Sequence, residues 1–368
     1  MSINIIVYVT SDLRHAPFLY QGINQLKLSG YIDSLILKPH KYHNRDRLVI
    51  KNNKLIRINR PYPYSIIIDI LTEKKSIKIG FDLQDWDYMF SYYSLKNCKI
   101  IFKRAYSKSI IEKINKEFNN IRILPFGFTY NTKFNDYNII RMSKISKIIN
   151  RFCYSFFAPK YLFNYLNSKV KYLINDKWSL INNSRFQDIK VPDYDYIFFQ
   201  VEYHNYHEHV EADRINNYRL KLIKALKKKF GKKFIGGMWS SKVNNRIDVN
   251  CKSSFLNSEL YLLLVKNAKL VISTNGFGNS LPWKMAEYLK LGKCIISQNI
   301  AHSLPHPLID GYHIKIFDNI EQCINISNDL LNDKEKTFLI GNNAKSYYNE
   351  HINPKTVIKK CLNQSINL

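Results

Sequence analysis

The sequence predicts an α/β protein made of two Rossmann-like halves that face a central cleft. Three observations lead there. Short β-branched and aromatic runs alternate with helical stretches over residues 1–130. The same alternation begins again near residue 196, after a polar linker over 182–192. At 368 residues the chain has the length of two ordinary domains. The expected division is a first half over 1–185, a second over 193–350, and a closing helix over 351–368 that packs back on the first half.

In the first half, NIIVYVT (3–9), SLILK (34–38), SIIIDIL (65–71), KIGFDL (78–83) and CKIIFK (98–103) read as strands. Helical spacing appears over 17–28 and 108–118, and strands separated by helices predict parallel βαβ units in an open, doubly wound sheet. A hairpin over 48–57, turning at Asn52-Asn53, decorates it. ILPFGF (123–128) reads as a closing strand and turn. From 137 to 175 there is no Asp or Glu. There Arg141, Lys144, Lys147, Arg151, Lys160, Lys169 and Lys171 interleave with Ile139, Ile140, Ile145, Ile148, Ile149, Phe152, Phe156 and Phe157. This is a basic amphipathic segment, and two readings stand evenly: contact with a membrane, or a core helix with solvated lysines.

In the second half, YIFFQV (196–201), KFIGGM (233–238), KLVIST (269–274) and CIIS (294–297) read as buried strands. Helices are expected over 216–230, ended by Gly231, over 259–268, and over 283–291, capped by Gly292. Pro354 begins the last helix.

With 45% hydrophobic residues the chain can bury a core and is not disordered. A mean hydropathy of −0.30 and the lack of an 18-residue apolar run exclude a polytopic membrane protein. The opening MSINIIVYVTSDLRH reads as a first strand and not as a leader, so a cytoplasmic protein is expected. Six scattered cysteines without a CxxC pair speak against a disulfide framework or structural zinc. The 56 Lys and Arg against 29 Asp and Glu give a net charge of +27, which calls for an anionic partner. An AT-rich codon usage explains plentiful Lys, but not the shortage of Asp and Glu.

The stretch that carries most chemistry is LVISTNGFGNSLPWKMAEYLKLGKCIIS (270–297). A strand runs into a glycine-containing loop and directly into a helix, which aims backbone N–H groups and the helix dipole at an anion such as phosphate. Asn275, Gly276, Gly278, Asn279 and Ser280 form the loop. Lys284 sits one turn into the helix, where its ammonium can neutralise a diphosphate. Glu287, three residues on, shares its face and suits bidentate bonding to ribose hydroxyls. The plain structural alternative is a surface Lys–Glu pair.

The run S-L-P-x-K-x-x-E-Y-x-x-x-G-K-x-x-I-S (280–297) resembles the donor-nucleotide motif of bacterial GT-B glycosyltransferases, and NAKSYYNEHINP (343–354) is similar to their C-terminal part. The resemblance covers a small part of the chain. It implies a GT-B fold with an acceptor-binding first half and a nucleotide-sugar-binding second half. It implies a diphosphate contact for Lys284, a ribose contact for Glu287, and a share in donor binding for Ser280. Many retaining members carry a Glu eight positions before the ribose-binding one. Here that position is Asn279, which leans the reading toward inversion.

An inverting enzyme needs a base on the acceptor hydroxyl, and two loops at strand C-terminal ends offer one. TSDLRH (10–15) carries Asp12, Arg14 and His15; DLQDWDY (82–88) carries Asp82, Asp85 and Asp87. Asp87 and Asp85 come first, then His15 and Asp12, against a helix cap for Asp12 and a solvated turn for the others. Lys103, Arg104 and Arg14 are candidates for an acidic acceptor or the donor phosphates, with a surface position as the alternative for Lys103 and Arg104. Asp85-Trp86-Asp87 and Asp193-Tyr194-Asp195 match a D-x-D metal pattern that recurs by chance, and no essential metal or other cofactor is expected, since Lys284 and the helix dipole can stabilise a leaving diphosphate. His204, His207 and His209 read as loop histidines near the donor, and Trp239 as a stacking partner for its base.

The leading expectation is therefore a glycosyltransferase that uses a nucleotide sugar to extend a bacterial surface glycan such as lipopolysaccharide or capsule. Its acceptor is expected to be a glycan or a lipid-linked sugar at the anionic inner face of the membrane. The rivals are a basic nucleic-acid-binding protein and a sugar-nucleotide epimerase of similar architecture. No nucleic-acid motif appears, and most aromatics fall inside strands and helices, so no nucleic-acid partner is expected.

Overall fold

A computed structural model describes residues 2–11, 13, 16–40, 46–60, 62–130, 136–157, 194–205, 210–240, 247–256 and 258–367. Asp12, Arg14, His15, Lys160, Lys169, Lys171, Asp193, His207, His209 and the linker 182–192 lie outside the described residues, as do the side chains of Arg151, Phe152, Phe156 and Phe157.

The first half holds β1 (Asn4–Val9), α1 (Pro17–Leu28), β2 (Ser34–Pro39), β3 (Arg47–Lys51), β4 (Lys54–Ile58), β5 (Ser65–Leu71), β6 (Ser76–Asp82), β7 (Met89–Ser91), α2 (Tyr92–Asn97), β8 (Ile100–Lys103), α3 (Lys108–Glu117), β9 (Arg122–Pro125) and α4 (Tyr137–Phe157). Its main sheet has the order β2-β1-β5-β6-β8-β9. The second half holds β10 (Ile197–Glu202), α5 (Val210–Phe230), β11 (Phe234–Trp239), α6 (Ser258–Asn267), β12 (Leu270–Ser273), α7 (Trp283–Lys290), β13 (Cys294–Gln298), β14 (Lys315–Phe317), α8 (Ile320–Asn332), α9 (Lys334–His351) and α10 (Pro354–Ile366). Its sheet, β11-β10-β12-β13-β14, is parallel at every pairing. The protein is thus an α/β fold of two Rossmann-like units.

The first sheet corrects one expectation. It is mixed, because β5 runs antiparallel to both β1 and β6. Only residues 72–75 separate β5 from β6, and they close a tight turn in which Thr72 N–H donates to the Lys75 carbonyl at 2.9 Å. That gap has no room for the helix a parallel crossover needs. The β3–β4 hairpin turns where expected, with Asn52 and Asn53 both left-handed at φ 51° and 59°. In the second half α5 starts six residues before the expected 216, and its first turn carries Glu211 and Asp213, which complement the helix dipole.

Over its described side chains α4 packs as a core helix. Ile139, Ser143 and Ser146 are buried, while Arg141, Lys144 and Lys147 face solvent. Ser146 Oγ donates to the Val9 carbonyl at 2.6 Å and accepts from His40 N–H at 2.9 Å, which ties the helix to the end of β1. Among the described residues no helix is long and apolar enough to cross a membrane. Cys98, Cys251, Cys294, Cys323 and Cys361 are buried free thiols.

The C-terminal helix α10 packs on α1. A Cβ on Gly22 would lie 2.6 Å from the Pro354 carbonyl oxygen, so only glycine permits the approach. The Tyr31 hydroxyl bonds the Asn363 side chain, and the Tyr130 and Tyr348 hydroxyls meet at 2.6 Å. A single buried apolar cluster runs from Val7, Phe18 and Phe81 in the first half to Met285, Tyr288 and Ile358. The loop after β8 and the loop over 83–88 meet the loop before α7 through Arg104 to the Leu281 carbonyl and Trp86 against Gly278.

Candidate functional site

On the second-half side, β12 leads through 274–282 into α7. Gly278 and Asn279 are both left-handed, at φ 59° and 52°. A Cβ on Gly278 would lie 2.9 Å from the Trp86 ring, so glycine lets the first-half loop over 83–88 press against this one. Ser280 is buried, with its hydroxyl beside Gly276.

Lys284 is the second residue of α7. Its Nζ donates to the Gln200 carbonyl on β10 at 2.5 Å and stands 5.0 Å from the Tyr261 ring centre. Burial pulls its pKa down to about 8, against the upward pull of Glu287 and Glu202, while Arg219 adds to the fall. Glu287 lies one turn along. Burial raises its pKa, opposed by Lys284 and Lys290. Among the described residues its carboxylate makes no hydrogen bond or ion pair, so both oxygens can accept from a ligand.

Behind the loop stands Arg219 of α5, a buried residue that the sequence reading missed. Its Nε donates to Thr274 Oγ1 at 3.1 Å and its Nη2 to the Asn275 carbonyl at 3.1 Å. Its Nη1 lies 3.0 Å from His204 Nε2, and because a guanidinium only donates, that nitrogen is the bare acceptor. Burial and the Arg219 charge push His204 down to about 4, so its ring is neutral. His204, expected near the donor, stands beside the loop, where it braces Arg219 and packs on Phe277 at 4.6 Å.

Asn275 also braces, with its N–H on Gln298 Oε1 and its Nδ2 on the Asn299 carbonyl, both at 2.9 Å. The Gly278 N–H, expected to face an anion, donates to Glu211 Oε1 at 2.7 Å, so a carboxylate of the protein occupies that place. Trp239, at the end of β11, packs edge-on against Phe255 at 5.0 Å.

On the first-half side, a buried network supports the loop over 83–88. Asp82 accepts from Tyr62 Oη at 2.9 Å, from Lys103 Nζ at 3.1 Å and from Gln84 N–H at 3.2 Å. Lys103 Nζ also donates to the carbonyls of Trp86 at 2.9 Å and Met89 at 2.6 Å, which uses all three of its N–H groups. Burial pushes Asp82 up and Lys103 down, each opposed by the other's charge. The expectation of Lys103 as a phosphate or acceptor ligand is therefore corrected: a fully buried, fully donated ammonium holds the loop from below.

Arg104 is corrected in the same way. It is buried, ion-paired to Asp85 through Nη1, bonded from Nε to Thr129 Oγ1 at 3.0 Å, and from Nη2 to the Leu281 carbonyl at 2.5 Å. Asp85 is thereby committed to a protein partner. Asp87 is partly exposed and makes no hydrogen bond or ion pair among the described residues. It lies close enough to His302 to favour that ring's proton, although burial outweighs it and lowers the His302 pKa. His302 Nε2–H donates to the Gly278 carbonyl at 3.1 Å.

The cleft thus joins Asp87 and Trp86 from the first half to Gly278, Ser280, Lys284, Glu287, Glu211 and His302 from the second. Glu211, Arg219 and His302 carried no motif, and they reach the loop across 67, 56 and 24 positions.

No family model matches the chain, and no curated protein matches it. Among solved structures it is similar to HepE of Anabaena in complex with UDP, at 12% identity and a TM-score of 0.41, over 75% of this chain and 66% of that one. It is similar to WaaG, a glycosyltransferase involved in lipopolysaccharide biosynthesis, at 11% identity and a TM-score of 0.39, over 71% and 61%. A glycosyltransferase from Rickettsia africae aligns at 12% identity and a TM-score of 0.37, over 73% and 76%. The chain spans just under two thirds of the HepE chain, at 66%, and 61% of the WaaG chain.

Proposed function

We propose that this protein is a glycosyltransferase that moves a sugar from a nucleoside-diphosphate donor to an acceptor hydroxyl in surface-glycan assembly. The observation that carries the reading is the pairing of a half-buried, cationic Lys284 with an uncommitted Glu287 on one turn of α7, behind a glycine loop at the C-terminal edge of a parallel sheet. Ligands bind at such edges in open α/β folds. Lys284 and Ser280 would hold the diphosphate, and Glu287 would accept from the two ribose hydroxyls.

In this reading Asp87 is the base. It takes the acceptor proton while the acceptor oxygen forms a bond to the anomeric carbon, and the bond from that carbon to the diphosphate oxygen breaks with its electron pair. The developing charge on the leaving nucleoside diphosphate is met by the Lys284 ammonium and the N-terminus of α7. That positive charge makes the step independent of an added metal. Attack from the Asp87 side, opposite the diphosphate, gives inversion.

The acceptor is proposed to be lipid-linked or glycan-bearing at an anionic membrane face, supported by the solvent-facing Arg141, Lys144 and Lys147 on α4. The test is donor hydrolysis and transfer with UDP-, GDP- and CMP-sugars, comparing the wild type with Lys284→Ala and Glu287→Ala. Activity in the wild type and its loss in both variants supports the reading. Full activity in both variants, or salt-sensitive binding of nucleic acid with no response to any nucleotide sugar, overturns it.

A further inference from the structure

We infer that Arg104 is a positioning residue that fixes the loop of the candidate base against the donor loop, so that the two halves of the cleft are in register for transfer. The inference rests on the proposed glycosyl transfer and concerns the same cleft. Arg104 follows β8 in the first half, and its side chain is fully buried. A buried guanidinium must have its N–H groups satisfied, and each of its three directions is used. Nη1 holds Asp85, two residues before Asp87. Nη2 holds the Leu281 carbonyl, three residues before Lys284, at 2.5 Å across the cleft. Nε on Thr129 Oγ1 at 3.0 Å stops the planar group from rotating. Trp283, the first residue of α7, has its ring centre 5.9 Å from the guanidinium carbon.

A single rigid plane therefore sets where the Asp85–Asp87 loop stands relative to the start of α7. The bond to Leu281 spans the two halves. Lysine cannot reproduce it, because one ammonium on a flexible stem lacks the two parallel prongs of a guanidinium. Arg104 touches neither the proposed donor nor the acceptor, and it acts through Asp85 and Leu281. Trp86 against Gly278 is the second contact between the same two loops, and the Asp82–Lys103 network stiffens the first-half loop beneath it. The fork holds both loops by hydrogen bonds.

The test compares wild type, Arg104→Lys and the milder Thr129→Val in three measurements. Nucleoside diphosphate affinity should stay near the wild-type value in both variants, because Lys284 and Glu287 are untouched. The transfer kcat should fall roughly 10²-fold in Arg104→Lys, the scale of loss for a misplaced reacting group, with donor KM little changed. In hydrogen exchange, peptides covering 83–88 and 276–283 should speed up together in both variants while those of α5 do not. Exchange needs no substrate, so it is read even if the wild type transfers no sugar, in which case the functional proposal fails and the coupling is still decided. A kcat within twofold of wild type in an active enzyme overturns the inference, as does faster exchange in one loop alone. A parallel loss of affinity, kcat and melting temperature also overturns it, because that pattern marks a residue that only stabilises the fold.

Discussion

Lys284 makes the strongest quantitative prediction, because burial has brought its titration into an accessible range. In the free protein its pKa stands at about 8, against an ordinary lysine at 10.5. A folded pKa below the unfolded one means the unfolded chain binds more protons between about pH 8 and about pH 10.5, so stability rises across that window. Below it the charged ammonium costs the fold of order 3 kcal/mol. A diphosphate reverses the balance by supplying the missing counter-charge, so binding above pH 8 must take up a proton. The protonated fraction falls from about nine-tenths at pH 7 to about one-tenth at pH 9, so affinity should weaken about tenfold over that interval. Calorimetric titration of UDP, GDP and CDP in two buffers of different ionisation enthalpy reads both the affinity and the proton uptake. Lys284→Met should bind more weakly and with no such slope. Affinity that is flat from about pH 7 to about pH 9 in the wild type, or an equal slope in Lys284→Met, would refute the reasoning.

Three further outcomes follow from the same geometry. Gly278→Ala places a left-handed alanine whose Cβ meets the Trp86 ring at 2.9 Å, so it should lose about 1–2 kcal/mol in denaturant unfolding and lower kcat more than affinity. Lys103→Met leaves Asp82 buried without its cation and should lose about 3–5 kcal/mol. Its deficit should shrink toward acid pH, because burial raises the folded-state pKa of Asp82 and a protonated carboxyl needs no partner; a deficit constant from about pH 4 to about pH 8 would contradict this. Anionic liposomes at low salt should retain the wild type, and a triple Arg141→Gln, Lys144→Gln, Lys147→Gln variant should be retained less; equal recovery in the supernatant would remove the membrane-facing role of α4.

The residues differ in how far their roles could be read in advance. Local rules sufficed where the cause is local. Pro17 opens α1, the Asn52-Asn53 pair turns a hairpin with both residues left-handed, and a strand, a glycine loop and a helix follow in order around Lys284. The antiparallel β5 was also legible, since the gap over 72–75 is too short for a crossover helix, but strand composition alone does not show direction.

What escaped is carried by contacts between distant positions. Arg104 meets Leu281 across 177 positions and Gly278 meets Glu211 across 67, and no periodicity links them. Two of the expected anion-binding cations have other work. Lys103 and Arg104, expected to hold an acidic acceptor or the donor phosphates, are buried and engaged with Asp82, Asp85 and loop carbonyls, and Arg219 is buried against the donor loop in the same way. Their part of the +27 shapes the cleft itself, and Lys284 is left as the cation proposed to meet a ligand.

The central claim is that a nucleoside diphosphate sits on the loop over 274–282 with its phosphates at Lys284 and its ribose at Glu287. A crystal structure of the protein with the diphosphate that binds best in the titrations tests it most directly. Phosphate oxygens should lie within hydrogen-bond distance of Lys284 Nζ, with both ribose hydroxyls on the Glu287 carboxylate. A nucleotide bound elsewhere, with Lys284 still donating to the Gln200 carbonyl and Glu287 untouched, would contradict it.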